Sequence, residues 1–270
     1  MKITVLIENT SQNNLLSEHG LSLYIEYNDK AYLLDAGSTD KFISNAKALD
    51  INLDVDYCIL SHGHYDHAGG YAKYLSMYDK QVYAMMSAFD TYVSGDDKHE
   101  ISIPKTIPKD KFLFIDSVTR LEEDVYLIPH NKLLSDIGKR SKMYRYVHNE
   151  YIYDDFSHEL SLVFDTDKGL VIFNSCSHGG VSHIIEEVKQ VLPNKHIYAF
   201  IGGLHLKGRK NGKEICTFSS EEMKAMSKYL LDNVDILYTG HCTGSVGYLS
   251  LSEFMGNRVE QLYSGKVMEV

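Results

Sequence analysis

The sequence predicts an α/β fold with two facing β-sheets and helices on their outer sides. Three observations support this fold class. Predicted strands precede helices twice, once in each half of the chain. A predicted hairpin begins each half, at residues 21–34 and 160–173. Histidine-containing segments follow predicted strands, so their side chains would gather along one edge of the sheets. Two sheets packed face to face, with helices outside, satisfy this order of elements.

The first half begins with a β-branched strand and a hairpin, and helices then alternate with strands. Alternating apolar and polar residues indicate the hairpin, whose turn signal is Asn28-Asp29. Helical spacing of Phe42, Ala46 and Leu49 indicates the first helix. The predicted elements are strands at 2–7, 21–27, 31–34, 57–60 and 81–84, and helices at 41–49 and 71–78.

The second half repeats this arrangement. Apolar residues recur at helical spacing from Val181 to Leu192, which indicates an amphipathic helix that Pro193 ends. Serines and glutamates at 219–222 cap another helix. The remaining predicted elements are strands at 160–165, 170–173, 196–201, 234–238 and 258–261, and a helix at 244–255.

One short segment places three histidines and a carboxylate directly after the predicted buried strand at 57–60. This segment reads Ser61-His62-Gly63-His64-Tyr65-Asp66-His67. Neutral imidazole and carboxylate are ligands of borderline divalent metals such as zinc. A loop at a strand end can turn His62 and His64 to one side and Asp66 and His67 to the other. The segment therefore predicts two neighbouring metal positions. A solvated histidine-rich loop is the alternative, although composition seldom produces such a cluster at a strand end.

This segment resembles the His-X-His-X-Asp-His signature of the metallo-β-lactamase superfamily. The resemblance covers residues 1–86 and 156–250 and implies a four-layer αββα sandwich. Other segments follow in the superfamily's order: Leu34-Asp35-Ala36-Gly37, Cys176-Ser177-His178 and Thr239-Gly240-His241. Three segments resemble the branch named after a dihydropterin-ribofuranosylaminobenzene-phosphate synthase of methanopterin biosynthesis: Glu18-His19-Gly20-Leu21-Ser22, Ile201-Gly202-Gly203-Leu204-His205 and His241-Cys242-Thr243-Gly244.

The resemblance also implies ligands for two divalent ions. By resemblance the six ligands form two sets of three, His62, His64 and His178 for one ion and Asp66, His67 and His241 for the other. As isolated residues, His178 and His241 would be ordinary polar histidines. Asp35 follows a strand, and the resemblance implies that it hydrogen-bonds a ligand histidine or supports the loop that carries it. Capping of the next helix is the alternative role for Asp35.

One feature of the superfamily is missing from this chain. Many relatives have a bridging aspartate at the end of the strand before the last histidine, where this chain has Gly202, Gly203 and His205 but no acid. The absence counts against a glyoxalase-type thioesterase, which uses that acid. His205 has two open roles, beside the metals or in substrate binding. The resemblance also implies that Glu18 and His19 bind substrate at the mouth of the site, and a surface pair is the alternative.

Residues 86–155 have the least regular pattern in the chain. They contain strand candidates at Phe112–Ile115 and Val125–Ile128 together with many polar residues. Long irregular insertions in compact domains usually form functional lids or mobile loops. We therefore predict a single domain, residues 1–270, with a lid insertion at about 86–155. A surface excursion without function is the alternative.

Composition limits the classes of function. A chain of 270 residues with 44% hydrophobic residues can bury a substantial core. Its net charge of −10 argues against a nucleic-acid surface, which needs clustered basic residues. No apolar run approaches the roughly 18 residues that span a bilayer, so we expect no membrane partner. The early polar residues do not suit a secretory signal. The four cysteines lack CxxC spacing, and together these features indicate a cytoplasmic protein with reduced thiols.

The predicted function is a metal-dependent hydrolase that uses a metal-bound hydroxide on a small anionic ester, with a phosphoester as the favoured example. Two divalent ions about 3.5–4 Å apart can lower the pKa of a shared water towards about 7, and Asp66 can accept its proton. Ligand type favours zinc, and manganese and iron remain open. The alternatives are a dihydropterin-arylamine phosphate synthase-like transferase and a non-enzymatic metal-binding protein. The expected partner is a small-molecule substrate, and the sequence does not indicate an oligomeric state.

Overall fold

The computed structural model describes residues 1–12, 14–130 and 141–270, which divide into two compact units. The first unit contains residues 1–117, 129–160 and 263–270, and the second contains residues 118–128 and 161–262. Each unit is built on its own seven-stranded sheet. The single domain with a lid stays a prediction, and residues 131–140 of the predicted lid lie outside the described residues.

Most predicted elements are present, with ends that differ by one or two residues. The described helices are α1 (Lys41–Ala48), α2 (Tyr65–Ala68), α3 (Tyr71–Met77), α4 (Val181–Val191), α5 (Ser220–Asn233) and α6 (Gly244–Met255). The described strands are β1 (Lys2–Ile7), β2 (Ser22–Tyr27), β3 (Lys30–Leu34), β4 (Tyr57–Ile59), β5 (Val82–Met85), β6 (Thr91–Ser94), β7 (His99–Glu100), β8 (Phe112–Ile115), β9 (Thr119–Glu122), β10 (Val125–Pro129), β11 (Met143–Val147), β12 (Glu150–Tyr153), β13 (Leu160–Thr166), β14 (Gly169–Phe173), β15 (Ile197–Ile201), β16 (Lys207–Lys210), β17 (Lys213–Cys216), β18 (Ile236–Thr239), β19 (Val259–Gln261) and β20 (Val267–Glu269). No helix among the described residues is both long and apolar enough to cross a bilayer.

The sheet of the first unit brings two functional segments to one edge. Its strand order is β20-β1-β2-β3-β4-β5-β8, and β3, β4, β5 and β8 run parallel. The chain leaves β3 at Leu34 and β4 at Ile59, which are paired in the sheet. Because the carboxyl ends of parallel strands meet at one edge, Asp35 and the histidine loop emerge side by side.

The apolar core of the first unit holds the helices around the histidine loop against the sheet. Phe42, Tyr71 and Tyr74 are fully buried in one apolar cluster with the strands. The tyrosine hydroxyls are paired inside this core, since Tyr71 donates to the Ile59 carbonyl at 2.9 Å and Tyr74 to the Leu53 carbonyl at 2.8 Å. Burial of each such ring stabilises the fold by roughly 1.5–3 kcal/mol. The helices that follow the loop are therefore firmly anchored to the strand that precedes it.

The second unit also has a sheet whose parallel strands bring functional segments to one edge. Its order is β19-β18-β15-β14-β13-β10-β9, and β14, β15, β18 and β19 run parallel. Ile184, Ile185 and Val188 of α4 are buried, and Ser219 and Glu222 form a capping box at the start of α5. The segments after β14, β15 and β18 therefore emerge at one edge of this sheet.

Two segments contain more regular structure than their sequences suggested. Strands β6, β7, β11 and β12, all inside the predicted lid, form a separate four-stranded sheet. Strands β16 and β17 form a hairpin in the basic segment at 207–213. Asn211 and Gly212 make its two-residue turn with φ of 53° and 75°. An Asn-Gly pair between short strands is a known signal for this turn, so the hairpin was detectable.

Candidate metal centre

The histidine loop of the first unit turns three imidazoles toward one another. His62, His64 and His67 are buried, and the ring centre of His62 lies 4.6 Å from that of His64 and 4.2 Å from that of His67. The turn requires glycine at position 63, because a Cβ there would lie 2.4 Å from the carbonyl oxygen of Ala88. The sequence places a short helix, α2, directly after this turn, and α2 presents Asp66 and His67.

Asp35 fixes the ring of His67. One carboxylate oxygen of Asp35 lies 2.7 Å from Nδ1 of His67 and 2.7 Å from the Ser61 hydroxyl, and the other accepts the Ser61 N–H at 2.8 Å. A carboxylate has only acceptors to offer, so Nδ1 of His67 carries the proton. The lone pair of His67 is then on Nε2, which is the tautomer that a metal ligand needs. Asp35 thus contacts a predicted ligand and the loop, and makes no helix cap.

Ser61 fixes the tautomer of His62 in turn. Its hydroxyl has one proton, which goes to Asp35, and its oxygen lies 2.8 Å from Nδ1 of His62. Nδ1 of His62 must therefore donate to Ser61, and the lone pair of His62 is on Nε2. A chain of hydrogen bonds from one buried carboxylate thus orients two imidazoles.

A second buried pair, Asp154 and His158, supports the turn of the loop. Nδ1 of His158 accepts the Gly63 N–H at 2.9 Å, so its Nε2–H donates to Asp154 at 3.1 Å. Asp154 also accepts the Phe156 N–H at 2.9 Å. Burial favours the neutral acid, but interaction with His158 and this N–H hold the pKa of Asp154 below its ordinary value. The sequence showed no signal for this support, because Gly63 and His158 are distant in the chain.

Burial keeps His64 neutral. Loss of solvent, with a smaller contribution from neighbouring His158, lowers the pKa of His64 to about 3. Only a neutral imidazole can bind a metal ion, so His64 is in the required state across the physiological pH range.

We expect His158→Ala to weaken metal binding by about 10- to 100-fold, which is typical of residues that orient ligands. The buried Gly63 N–H would lose its acceptor, at a cost of about 1–3 kcal/mol in the free energy of unfolding. Metal affinity and thermal unfolding would both be measured. His158→Asn should recover part of the affinity, because its side-chain oxygen can take the place of Nδ1.

A matched control is His99→Ala, which removes an exposed histidine paired with Asp97 at 3.0 Å. It should leave metal affinity unchanged. Equal metal affinity in His158→Ala and the parent protein would show that Asp154 and His158 do not position the loop.

Asp66 stands at the solvent side of the loop. One of its carboxylate oxygens lies 3.2 Å from Nε2 of His19 and 3.8 Å from Nε2 of His67. The side chain of His19 is 52% exposed and that of Asp66 only 11%. The neighbouring Glu18 instead accepts the Thr39 N–H at 2.9 Å and the Thr39 hydroxyl at 2.6 Å, which ties its loop to the start of α1. Substrate binding by Glu18 and His19 stays a prediction.

The second unit places its histidines after three parallel strands. His178 follows β14, His205 follows β15 and His241 follows β18, and the ring centres of His178 and His205 are 4.4 Å apart. The sulfur atoms of Cys176 and Cys242 and a ring nitrogen of His241 lie within 4.8 Å of one another. Sequence reasoning noted Cys242 beside His241 but missed its grouping with Cys176.

Interactions within this unit also affect the Cys242 thiol. Burial raises the pKa of this thiol, but hydrogen bonds with Cys176 and His205 and the charge of His241 together hold it well below the ordinary value.

Left-handed backbone recurs at these loops. The φ angles are 62° at Asp35, 50° at Ser177, 50° at His205 and 51° at His241. Such conformations in non-glycine residues cost of order 1–3 kcal/mol each and persist where surrounding structure holds them. Their recurrence where the chain leaves the sheets indicates that orientation of these side chains is maintained at the expense of stability.

The donor set fits divalent metal ions. In the first unit, the imidazoles of His62 and His67 direct Nε2 lone pairs away from their supporting partners, His64 is neutral, and Asp66 supplies an oxygen. In the second unit, His178, His205 and His241 lie at the ends of parallel strands. The division of these ligands between two ions stays a prediction, as does the role of His205.

Comparisons with known proteins confirm the resemblance found in the sequence. Residues 18–138 match the sequence model of the metallo-beta-lactamase superfamily. A 7,8-dihydropterin-6-methyl-4-(β-D-ribofuranosyl)-aminobenzene-5'-phosphate synthase of Methanocaldococcus jannaschii is 27% identical, with coverage of 100% of this chain and 96% of the relative.

Solved structures confirm the predicted fold class. A metal-dependent hydrolase of the β-lactamase superfamily matches with a TM-score of 0.83 and 28% identity, over 100% of this chain and 99% of its own. The zinc-bound PqqB of Methylobacterium extorquens matches with a TM-score of 0.60 at 9% identity, over 100% of both chains, which supports the fold alone.

Proposed function

Because the chain has the metallo-β-lactamase fold, we propose that it is a metal-dependent hydrolase of small anionic esters, with phosphoesters as the favoured class. The observation that carries the proposal is the loop of the first unit, where hydrogen bonds from Asp35 and Ser61 direct the Nε2 lone pairs of His62 and His67. A solvated histidine-rich loop would not have buried, pre-oriented imidazoles. When bound, divalent ions would supply an acidified water and offset negative charge on the substrate.

The protein's own groups have distinct tasks in this proposal. His62, His64 and His67 hold the ions through neutral imidazoles. Asp66 accepts the proton of the attacking water, and half-exposed His19, 3.2 Å away, can pass that proton to solvent. His178 and His241 are the predicted ligands from the second unit, and His205 is the predicted substrate contact there.

The solved metal-dependent hydrolase supports this class of reaction, since it resembles the whole chain at 28% identity. Zinc is the proposed metal because imidazole and carboxylate suit it, and manganese and iron are the alternatives.

The four cysteines form no disulfide, which supports the proposed cytoplasmic location.

A second candidate is a transferase similar to the dihydropterin-arylamine phosphate synthase. One observation favours it: the synthase of M. jannaschii matches this chain over 96% of its own length. In that reaction the same ligands would bind the ions that activate a departing diphosphate.

We expect the purified protein to bind up to two divalent ions per chain and to hydrolyse a simple ester. Metal content would be measured after incubation with zinc, manganese and iron. Activity would then be measured on chromogenic phosphomonoesters, phosphodiesters, thioesters and lactams. Turnover without a second substrate supports the hydrolase. Diphosphate release that requires an added arylamine supports the synthase. Metal content that stays at trace level under excess of all three ions would contradict both.

A further inference from the structure

We propose that Cys176 and Cys242 are metal ligands, and that with His241 they form a sulfur-rich site for one zinc-like ion within the second unit. The sulfur atoms of both cysteines and a ring nitrogen of His241 lie within 4.8 Å of one another, and all three residues are buried. Zinc binds sulfur at about 2.3 Å and imidazole nitrogen at about 2.0–2.1 Å in tetrahedral geometry, so donors around one ion are about 3.3–3.8 Å apart. The three side chains are therefore close enough to converge on one ion after local adjustment.

The backbone makes room for the Cys242 sulfur. A Cβ at Gly203 would lie 2.3 Å from this sulfur, which no real side chain could tolerate. Gly203 is held in place by its N–H, which donates to the Ser175 carbonyl at 2.8 Å. Glycine at this position thus preserves the space that the sulfur occupies.

Hydrogen bonds keep the neighbouring segments in register. The Leu204 N–H donates to the Thr243 hydroxyl at 2.9 Å, and the hydroxyls of Thr243 and Thr239 are 2.6 Å apart. These contacts join the segment after β15 to the one after β18, which carries His241 and Cys242. These hydrogen bonds therefore stabilise the turn that carries the Cys242 sulfur and the His241 imidazole.

Two cysteines can supply the negative charge that a carboxylate would otherwise supply. The segment after β15 reads Gly202-Gly203-Leu204-His205 and contains no acid. Cysteine sulfur supplies negative charge to a metal ion as a carboxylate does, but it favours softer ions. This inference shares His241 with the proposed function and rests on it to that extent. Metal binding through sulfur can nevertheless be tested without any substrate.

Cobalt titration of the reduced, metal-free full chain tests the proposal. Thiolate ligands should produce sulfur-to-cobalt charge-transfer absorption in the near ultraviolet. Cys242→Ser and Cys176→Ser should each diminish that absorption and lower cobalt affinity by at least about tenfold. Loss of a residue that only orients a ligand already costs about 10- to 100-fold in metal affinity, so loss of a ligand should cost no less. Cys216→Ser is the matched control, because its thiol contacts Met223 outside the site, and it should leave the spectrum unchanged.

Asp66→Ala separates this inference from the proposed function. It should lower kcat/KM for ester hydrolysis by about 10²- to 10⁴-fold and keep the sulfur-to-cobalt absorption. Should the serine variants fail to fold, X-ray absorption of the zinc-loaded parent protein gives the answer, with sulfur expected at about 2.3 Å. A first coordination sphere of nitrogen and oxygen only, or cobalt bound without charge-transfer absorption, would overturn the proposal.

Discussion

Asp66→Ala is expected to lower kcat/KM for ester hydrolysis by about 10²- to 10⁴-fold, the usual contribution of a positioned proton acceptor. The variant should remain folded, because Asp66 lies in the short helix after the loop and packs against His19 and His67 at its solvent side. Steady-state kinetics and circular dichroism would be measured on the same preparation. His64→Ala should abolish hydrolysis, through loss of a predicted metal ligand.

The control for this experiment is Asp97→Ala, which removes an exposed carboxylate from the turn between β6 and β7. Its kinetics should match those of the parent protein. Full activity in Asp66→Ala would show that the attacking water is not activated in the proposed way.

Asp35→Ala is expected to have the second large effect, on both stability and metal binding. Asp35 is fully buried and accepts hydrogen bonds from the Ser61 N–H, the Ser61 hydroxyl and His67. Each buried donor left without a partner costs about 1–3 kcal/mol in the free energy of unfolding. Metal affinity should fall by about 10- to 100-fold, because His67 would no longer be oriented. Thermal unfolding and metal titration measure the two effects.

Asp35→Asn distinguishes the two roles of this residue. Its amide can still accept the Ser61 N–H, so stability should fall less than in the alanine variant. If its NH₂ group faces Nδ1 of His67, the ring proton moves to Nε2 and blocks the metal-binding atom. We therefore expect a folded protein with weakened metal binding. An asparagine variant that binds metal as tightly as the parent protein would refute the tautomer argument for His67.

Local patterns were enough to predict the fold class and much of the first unit. The apolar run before Ser61 and the histidines after it are adjacent in sequence, so strand and loop were both predictable. Helical spacing likewise identified the helix that begins at Val181, and alternation identified the first hairpin. Each of these signals arises within one element, where sequence spacing determines which side chains share a face.

The remaining features depend on contacts between distant segments. His158 meets Gly63 across 95 residues, and Cys242 meets Cys176 across 66. Packing between two loops creates the first contact, and parallel pairing of β14, β15 and β18 brings together the segments that make the second. No spacing in the sequence specifies which loops or strands meet. The four-stranded sheet within residues 91–153 escaped detection for a similar reason, since its strands are short and β6 pairs with the distant β11. Only the Asn211-Gly212 hairpin had a local signal that was overlooked.

The left-handed backbone at His205 and His241 restricts how the protein can be engineered for heat resistance. Glycine adopts this conformation without steric strain and asparagine tolerates it, so a search for stabilising substitutions would favour both at these positions. Neither residue supplies an imidazole. A thermally improved variant selected without regard to activity would therefore tend to lose these two side chains first. Asp35 has the same backbone conformation, but the hydrogen bonds that its buried carboxylate accepts oppose its replacement. Selection for stability should hold His205 and His241 constant and explore the exposed helix surfaces instead.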